Sequence, residues 1–174
     1  VCLVECSFAA VSVGLFSAVT TALGNIAATL PPYAEIALIA YDDAVHFFSF
    51  GDTGIVQLTA PDANEACLPL PPSRLLFSLG ESLDSFEELL RSLPKFLSQS
   101  RRADTALGTA LQAAQLLLCR TGGRLLFFQH MLPSRGNLKL QQRDDLRLCM
   151  HHCTPLPAVG RQRGALPRFL HGVL

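Results

Sequence analysis

The clearest pattern of hydrophobic and polar positions lies between residues 105 and 128. Apolar residues recur there at helical spacing, which is typical of a helix packed against a sheet: Leu107, Ala110, Leu111, Ala114, Leu117 and Leu118. Thr105 is predicted to cap this helix, and Gly122 and Gly123 are predicted to end it. Residues 125–128 then run apolar without alternation, as in a strand covered on both faces. Such a helix and strand form half of a parallel α/β unit.

The rest of the chain also alternates between strand-like and helix-like segments. Asp42 and Asp43 form a turn short enough to make an antiparallel hairpin of its flanking strands, and both carboxylates are expected to face water. In a helix predicted at residues 83–97, the side chains expected to point inward are Phe86, Leu89, Leu90, Leu93 and Phe96. The pattern predicts strands at residues 1–5, 35–41 and 45–50, a short strand at 55–58 in a loop-rich stretch, and helices at 9–30 and 83–97.

This order of elements predicts an α/β fold, with a three-layer, doubly wound and mostly parallel sheet and right-handed crossovers. The first strand is expected at the centre, the hairpin on one side of it and residues 125–128 on the other. In such a sheet, ligands bind beyond the carboxyl ends of the strands, where the strand order reverses. The residues that follow the first strand and residues 125–128 are therefore the first candidates for a functional site.

The composition of the chain argues against several classes of protein. The 174 residues suit one domain, and a formal net charge of zero lacks the basic footprint of a nucleic-acid binder. Six scattered cysteines favour thiols in a reducing, cytosolic compartment over a disulfide scaffold. Residues 6–34 carry no charge and are long enough to span a bilayer, but interspersed polar residues and a single apolar stripe favour a buried helix.

Several uncommon segments of the sequence occur in the same order in one known family. They are VCLVECSFAAVSVG, LPPYAEIALIAYDDAVHFFSF, CLPLPPSRLLFSLGES, ALGTALQAAQLLL, TGGRLLFFQ and LPSRG. In these segments the chain resembles, from residue 1 to about residue 148, the trunk domain of the cargo-selecting subunit of the COPII vesicle coat. The GTPase-activating subunit of that coat has a related trunk, but LPLP, ALQAA and TGGRL are more similar to the cargo-selecting subunit.

The resemblance implies a von Willebrand A-type layout with one antiparallel edge strand, incomplete at the carboxyl terminus. Residues 1–148 are then a partial trunk domain, and residues 149–174 a divergent, basic tail expected to be poorly ordered. Because the chain opens directly on a strand and has no initiator Met, it is expected to be a fragment. Its sheet edge beyond residues 125–128 would be unpaired, so aggregation is expected for the isolated chain.

The function implied by the resemblance is that of a non-catalytic coat component in transport from the endoplasmic reticulum to the Golgi. Its partners would be the GTPase-activating subunit, cargo sorting signals and SNARE proteins, with peripheral contact to the cytoplasmic side of the endoplasmic reticulum membrane and to COPII-coated vesicles. The loops at residues 62–72 and 132–137 are the first expected binding positions. No cofactor is expected in this chain, because the family's zinc module precedes the trunk and its cysteine pairs are absent from the sequence.

A metal-dependent ligand-binding or adhesion domain is one alternative. Many A-type domains hold a divalent ion through Asp-x-Ser-x-Ser after the first strand, a later Thr, and an Asp after the fourth strand. The corresponding residues here are Glu5, Ser7 and Ala9, then Thr105 or Thr109, and finally Gln129. Mg²⁺ requires hard oxygen ligands in octahedral geometry, which this set supplies poorly. The ion site is therefore predicted to be degenerate and to hold no metal.

A thiol hydrolase is the second alternative. Cys6 and His130 follow adjacent strands and form the sharpest candidate catalytic pair. We favour the competing interpretation, in which Cys6 is a core residue, His130 a solvated loop residue and His46 a residue on a sheet face or edge. The tail contains zinc-ligand types, but within one short segment and without paired knuckles: Cys149, His151, His152 and Cys153. No enzymatic site is predicted.

Overall fold

The computed structural model describes residues 1–51, 54–97 and 101–140; the predicted tail at 149–174 lies outside the described residues. Within these ranges the chain forms seven strands and five helices. In chain order they are β1 Cys2–Glu5, α1 Phe8–Ser12, α2 Leu15–Thr29, β2 Glu35–Ile36, β3 Leu38–Tyr41, β4 Val45–Gly51, β5 Gly54–Ala60, α3 Pro72–Leu75, β6 Phe77–Ser78, α4 Leu79–Leu97, α5 Leu107–Leu118 and β7 Leu126–Phe128.

Five of the strands form the main sheet, in the order β5-β4-β3-β1-β7. β1 pairs in parallel with β3 and β7, whereas β4 is antiparallel to both β3 and β5. The α/β prediction is confirmed, with β1 at the centre, the hairpin on one side and β7 on the other. The edge position predicted for the antiparallel strand is taken by β5, because the expected short strand at 55–58 is seven residues long and covers β4.

Helices cover the sheet on both faces and give the three predicted layers. On one face, α2 and α4 pack on the sheet through residues such as Phe16, Leu23 and Phe86. On the other face, α5 packs through Ala110, Ala114 and Leu117 against Leu3 and Ile39. Because successive side chains of a strand point to opposite faces, the consecutive apolar residues of β1 and β3 fill both layers.

Two predicted elements are divided in the structure. The helix expected at 9–30 breaks at Gly14, whose φ of 77° lies in the left-handed region that glycine adopts readily, so α1 and α2 are separate helices. No helix in the described ranges combines the length and apolar character needed to cross a bilayer. The strand expected at 35–41 is split because Glu35 and Ile36 pair with β6 in a second, two-stranded antiparallel sheet.

Three predictions about a helix face, the coverage of a strand and a helix cap were wrong. Phe96 does not point fully inward but is 37% exposed beside Phe48, with the ring centroids 6.3 Å apart. β7 is not covered on both faces by the residues that the structure describes, among which Leu126 is 43% and Phe127 56% exposed. Thr105 does not cap α5: the cap position is Ala106, and the Thr105 hydroxyl donates instead to the Leu132 carbonyl at 3.0 Å.

Candidate functional site

The segments that follow β1, β3, β5 and β7 meet at one end of the main sheet, here called the carboxyl edge. β5 reaches this edge because it is antiparallel to β4 and therefore runs in the same direction as β3. The Thr109 hydroxyl donates to the Ala63 carbonyl, and the Asn137 side chain donates to the Asn64 carbonyl. The two loops expected to bind partners, at 62–72 and 132–137, therefore lie side by side.

Glu5 is a buried carboxylate at the centre of the carboxyl edge, with no exposed surface. Its Oε1 accepts a hydrogen bond from the Ser7 hydroxyl at 2.5 Å. Its Oε2 accepts from the backbone N–H groups of His130 and Met131, the latter at 2.9 Å. These three donors compensate the cost of burying the carboxylate and join the end of β1 to the segment after β7.

The other residues of the degenerate ion site are also engaged by the chain itself. Ser7 accepts from the Ala10 backbone N–H at 3.3 Å and so caps α1, while the Gln129 side chain donates to the Met131 carbonyl. Thr105 and Thr109 donate to backbone carbonyls, and Ala9 has no side-chain oxygen. An octahedral Mg²⁺ would have to displace these bonds, which supports the prediction that the position holds no such ion.

The candidate pair of Cys6 and His130 lacks the properties of a nucleophile and its base. Cys6 is fully buried, and burial together with the negative charges of Asp42 and Glu5 raises the pKa of its thiol well above the ordinary value. A reactive cysteine requires the opposite shift, since the thiolate is the nucleophile. His130 is exposed, and its backbone N–H, not its ring, makes the contact with Glu5.

The hairpin turn at Asp42 and Asp43 does not face water as predicted, since its residues are only 2% and 6% exposed. Asp43 Oδ2 accepts hydrogen bonds from the guanidinium groups of Arg102 and Arg135, the latter at 3.0 Å. The Ala106 backbone N–H donates to the Asp42 carbonyl at 2.7 Å. The prediction failed because the segments before α5 and after β7 fold over the turn, an arrangement that the turn's own sequence does not encode.

His46 also contacts the hairpin turn, and its predicted position on the sheet is confirmed, because it lies in β4. Its Nε2 lies 3.1 Å from Asp42 Oδ1, and its Nδ1 lies 2.9 Å from Thr59 Oγ1 and 3.1 Å from Gln57 Nε2. One tautomer fits these contacts: Nε2 carries the proton and donates to Asp42, and the single lone pair of Nδ1 is shared between the Thr59 hydroxyl and the Gln57 amide.

Cys6, Asp42 and His46 form a cluster that sequence reasoning missed. One ligand atom from each residue lies within 4.8 Å of the other two. The residues follow or belong to three different strands, so only the pairing of β1 with β3 and of β3 with β4 brings them together. The four-residue separation of Asp42 and His46 across a hairpin was the one local signal that could have indicated part of the cluster.

Comparison with known proteins gives a family match over most of the chain. Residues 1–154 match the family described as the Sec23/Sec24 trunk domain. The chain is similar to protein transport protein Sec24B of Homo sapiens, with 40% identity over 64% of this chain and 9% of the relative. It is also similar to protein transport protein SEC24 A of Arabidopsis thaliana, with 32% identity over 82% of this chain and 14% of the relative.

A solved structure has the same fold. The crystal structure of the human COPII-coat protein Sec24c matches with a TM-score of 0.74 and 22% identity, over 84% of this chain and 21% of that chain. The present chain therefore spans only a small part of the proteins that it resembles.

Proposed function

The chain belongs to the Sec23/Sec24 trunk domain family, and from this membership we propose that it is the trunk of a cargo-selecting subunit of the COPII vesicle coat. In that role it takes part in vesicle transport from the endoplasmic reticulum to the Golgi. The observation that carries the proposal is the family match over residues 1–154 together with relatives named Sec24 at 32–40% identity.

The proposed mechanism is that of a rigid, non-catalytic platform. Polar side chains at the carboxyl edge hold its loops in place: Thr109 and Asn137 bond to the segment after β5, and Glu5 bonds to the segment after β7. Loops fixed on a rigid sheet are suited to present binding residues. The fully buried Cys6, whose thiol pKa is raised, supports a role without nucleophilic catalysis.

The partners in this proposal are the GTPase-activating subunit of the inner coat, cargo sorting signals and SNARE proteins. The protein would act on the cytoplasmic side, in peripheral contact with the endoplasmic reticulum membrane and on COPII-coated vesicles. Its balance of 14 basic and 14 acidic residues supports protein partners over nucleic acid. The family's zinc module would belong to another part of the whole protein.

The proposal is tested by co-purification of the chain with the GTPase-activating subunit. The 174-residue chain, fused to a soluble cysteine-free carrier, should retain the purified subunit. Leu132→Asp, on a 56% exposed side chain of the carboxyl edge, should weaken retention about tenfold, which equals about 1.4 kcal/mol. The matched control is Tyr33→Asp, on an 85% exposed side chain at the opposite end of the sheet, which should leave retention unchanged.

Two results would count against this proposal. If a folded wild-type chain does not retain the subunit, the proposed partner is wrong. If Tyr33→Asp weakens retention as much as Leu132→Asp, the carboxyl edge is not the binding surface.

A further inference from the structure

We propose that Cys6, Asp42 and His46 form a binding site for one Zn²⁺ ion. This site differs from the degenerate Mg²⁺ position, which involves Glu5, Ser7 and Gln129, and it goes beyond the proposed role in the coat.

The chemical types of the ligands favour zinc. A thiolate, a carboxylate and an imidazole nitrogen are the three side-chain groups that bind Zn²⁺ in proteins. Mg²⁺ and Ca²⁺ prefer oxygen ligands only, so the sulfur of Cys6 and the nitrogen of His46 disfavour them. The three groups are nearly or fully buried, at 0% exposure for Cys6, 2% for Asp42 and 8% for His46.

The distances are compatible with a tetrahedral ion after small side-chain movements. The three ligand atoms lie within 4.8 Å of one another, and His46 Nε2 is 3.1 Å from Asp42 Oδ1. Zinc bonds of about 2.0–2.3 Å place neighbouring ligand atoms of a tetrahedron roughly 3.3–3.6 Å apart. Closing the cluster on an ion therefore requires shifts of about 1 Å, within the reach of side-chain torsions.

The backbone at all three ligands lies on paired strands or directly after them. The Cys6 N–H donates to the Tyr41 carbonyl at 2.9 Å, which extends the pairing of β1 with β3 to the residue before Asp42. His46 is paired with Ala40 across the hairpin and with Thr59 on β5. His46 lies on a strand and the other two ligands directly follow one, so the spacing of the three is largely pre-formed.

The surroundings of His46 also suit a metal ligand. A metal-bound histidine usually donates its other ring N–H to an oxygen, which fixes the orientation of the ring. Thr59 Oγ1 lies 2.9 Å from His46 Nδ1 and can accept that proton when Nε2 binds the ion. The Gln57 amide nitrogen, 3.1 Å from Nδ1, would then have to exchange places with its own amide oxygen by a flip of the side chain. The negative charges of Asp42 and Glu5 act on the Cys6 sulfur, and a divalent cation would neutralise this negative potential.

The bound ion would have a structural role, since it would link neighbouring strands of the main sheet. Its three protein ligands would join the end of β1 to the hairpin of β3 and β4. Because the ion binds only the folded arrangement, zinc should raise the melting temperature of the chain.

The experiment is a Co²⁺ titration and Zn²⁺ competition on the 174-residue chain fused to a cysteine-free carrier. The near-ultraviolet thiolate-to-cobalt band reports whether a cysteine binds the ion. One equivalent of metal, a thiolate band and a zinc-dependent rise in melting temperature are expected for the wild type. Cys6→Ser should lose the band and the rise in melting temperature, with zinc affinity lower by more than about 100-fold. Thr59→Val should lower the affinity about tenfold, because it removes no ligand and only one hydrogen-bond partner of Nδ1.

Two control variants test whether an exposed cysteine or the cysteines of the tail bind the ion instead of Cys6. Cys67→Ser changes an exposed thiol, and the double variant Cys149→Ser with Cys153→Ser changes the tail; both should keep the band. Circular dichroism establishes that each variant is folded. The proposal is overturned if the folded wild type binds no metal at micromolar zinc, or if the band survives Cys6→Ser. It is equally overturned if the band disappears in the tail variant.

Discussion

The two outermost strands of the main sheet, β5 and β7, are held in place by different means. β5 pairs with β4 over seven residues, from the Gly51 and Gly54 pair to the Val45 and Ala60 pair, in a hairpin that is contiguous in sequence. β7 pairs with β1 over only three residues and leaves Phe127 56% exposed. Local pairing therefore specifies β5, whereas β7 depends on other contacts.

Those other contacts are polar and come from residues distant in sequence. The Glu5 carboxylate accepts hydrogen bonds from the backbone of His130 and Met131, and the Tyr41 hydroxyl donates to the Phe128 carbonyl at 3.2 Å. Burial of apolar side chains stabilises β7 less than it stabilises an internal strand, since the first two residues of β7 are exposed. The comparison indicates that the polar groups at the carboxyl edge fix β7. Four pairs of variants test this and the other differences between the two strands.

The largest effect is expected for Glu5→Ala. Removal of the carboxylate leaves the Ser7 hydroxyl and two backbone N–H groups without an acceptor, which should cost about 3 kcal/mol or more of unfolding free energy. The substitution should accelerate backbone hydrogen exchange more in β7 and in the segment after it than in β5. Glu5→Gln keeps one acceptor and should lose less. Equal loss of protection in both strands would show that Glu5 does not hold β7 specifically.

The second effect concerns two glycines, one in the segment after β7 and one at the start of β5. Gly136 follows β7 with a φ of 85°, and a Cβ there would collide with the Ala63 carbonyl. Gly136→Ala should therefore cost about 2–3 kcal/mol in denaturant unfolding. Gly54, at the start of β5, has a φ of 110° but open space around it, so Gly54→Ala should carry only the backbone strain. A larger cost at Gly54 would argue against the close packing of the two carboxyl-edge loops.

A smaller effect is expected for Tyr41→Phe. Loss of the hydroxyl leaves the Phe128 carbonyl without this donor and should cost about 1 kcal/mol, with faster exchange confined to β7. Burial, followed by the charge of Glu5, raises the pKa of Tyr41, so the hydroxyl remains a donor throughout the neutral range. Tyr33→Phe is the control, because Tyr33 is 85% exposed and should change the stability very little. An equal loss in the two variants would remove Tyr41 from the contacts that hold β7.

The smallest change in stability is expected for Phe127→Thr, within about 0.5 kcal/mol, because the side chain is already exposed. Its effect should appear in aggregation, since an exposed apolar edge strand pairs readily with other chains. Light scattering of the isolated chain should fall with Phe127→Thr and change little with Val56→Thr on β5, where Val56 is 38% exposed. A wild-type chain that remains monomeric and melts cooperatively would contradict the predicted aggregation.

The sequence was most informative where elements are long or contiguous. The stripe of α5, the apolar strand β1 and the hairpin at Asp42 and Asp43 were predicted because their periodicity or turn length determines the local structure. The prediction was less accurate for β5 and for the break at Gly14. The full length of β5 was not predicted because its surroundings have the composition of a loop. The break at Gly14 was not predicted because the apolar stripe continues in the sequence although this residue leaves the helical conformation.

The sequence predicted some residues of the candidate site but not their contacts. Glu5 and Ser7 were identified as weak metal ligands because their types and spacing can be read directly, but their role in holding β7 requires the position of His130 and Met131. Asp42 and His46 were interpreted separately, as a solvated turn and a sheet residue. Burial of the turn depends on Arg102, Arg135 and the start of α5, which approach it from distant parts of the chain.

The sequence by itself therefore determined the family, the order of the elements and the apolar faces that make three layers, because these depend on residue type and short spacing. The tertiary structure alone decided which polar groups are buried, how β7 is held and that Cys6, Asp42 and His46 converge. Hydrogen bonds and metal coordination require atoms within a few ångströms of one another, and only the pairing of distant strands establishes such distances.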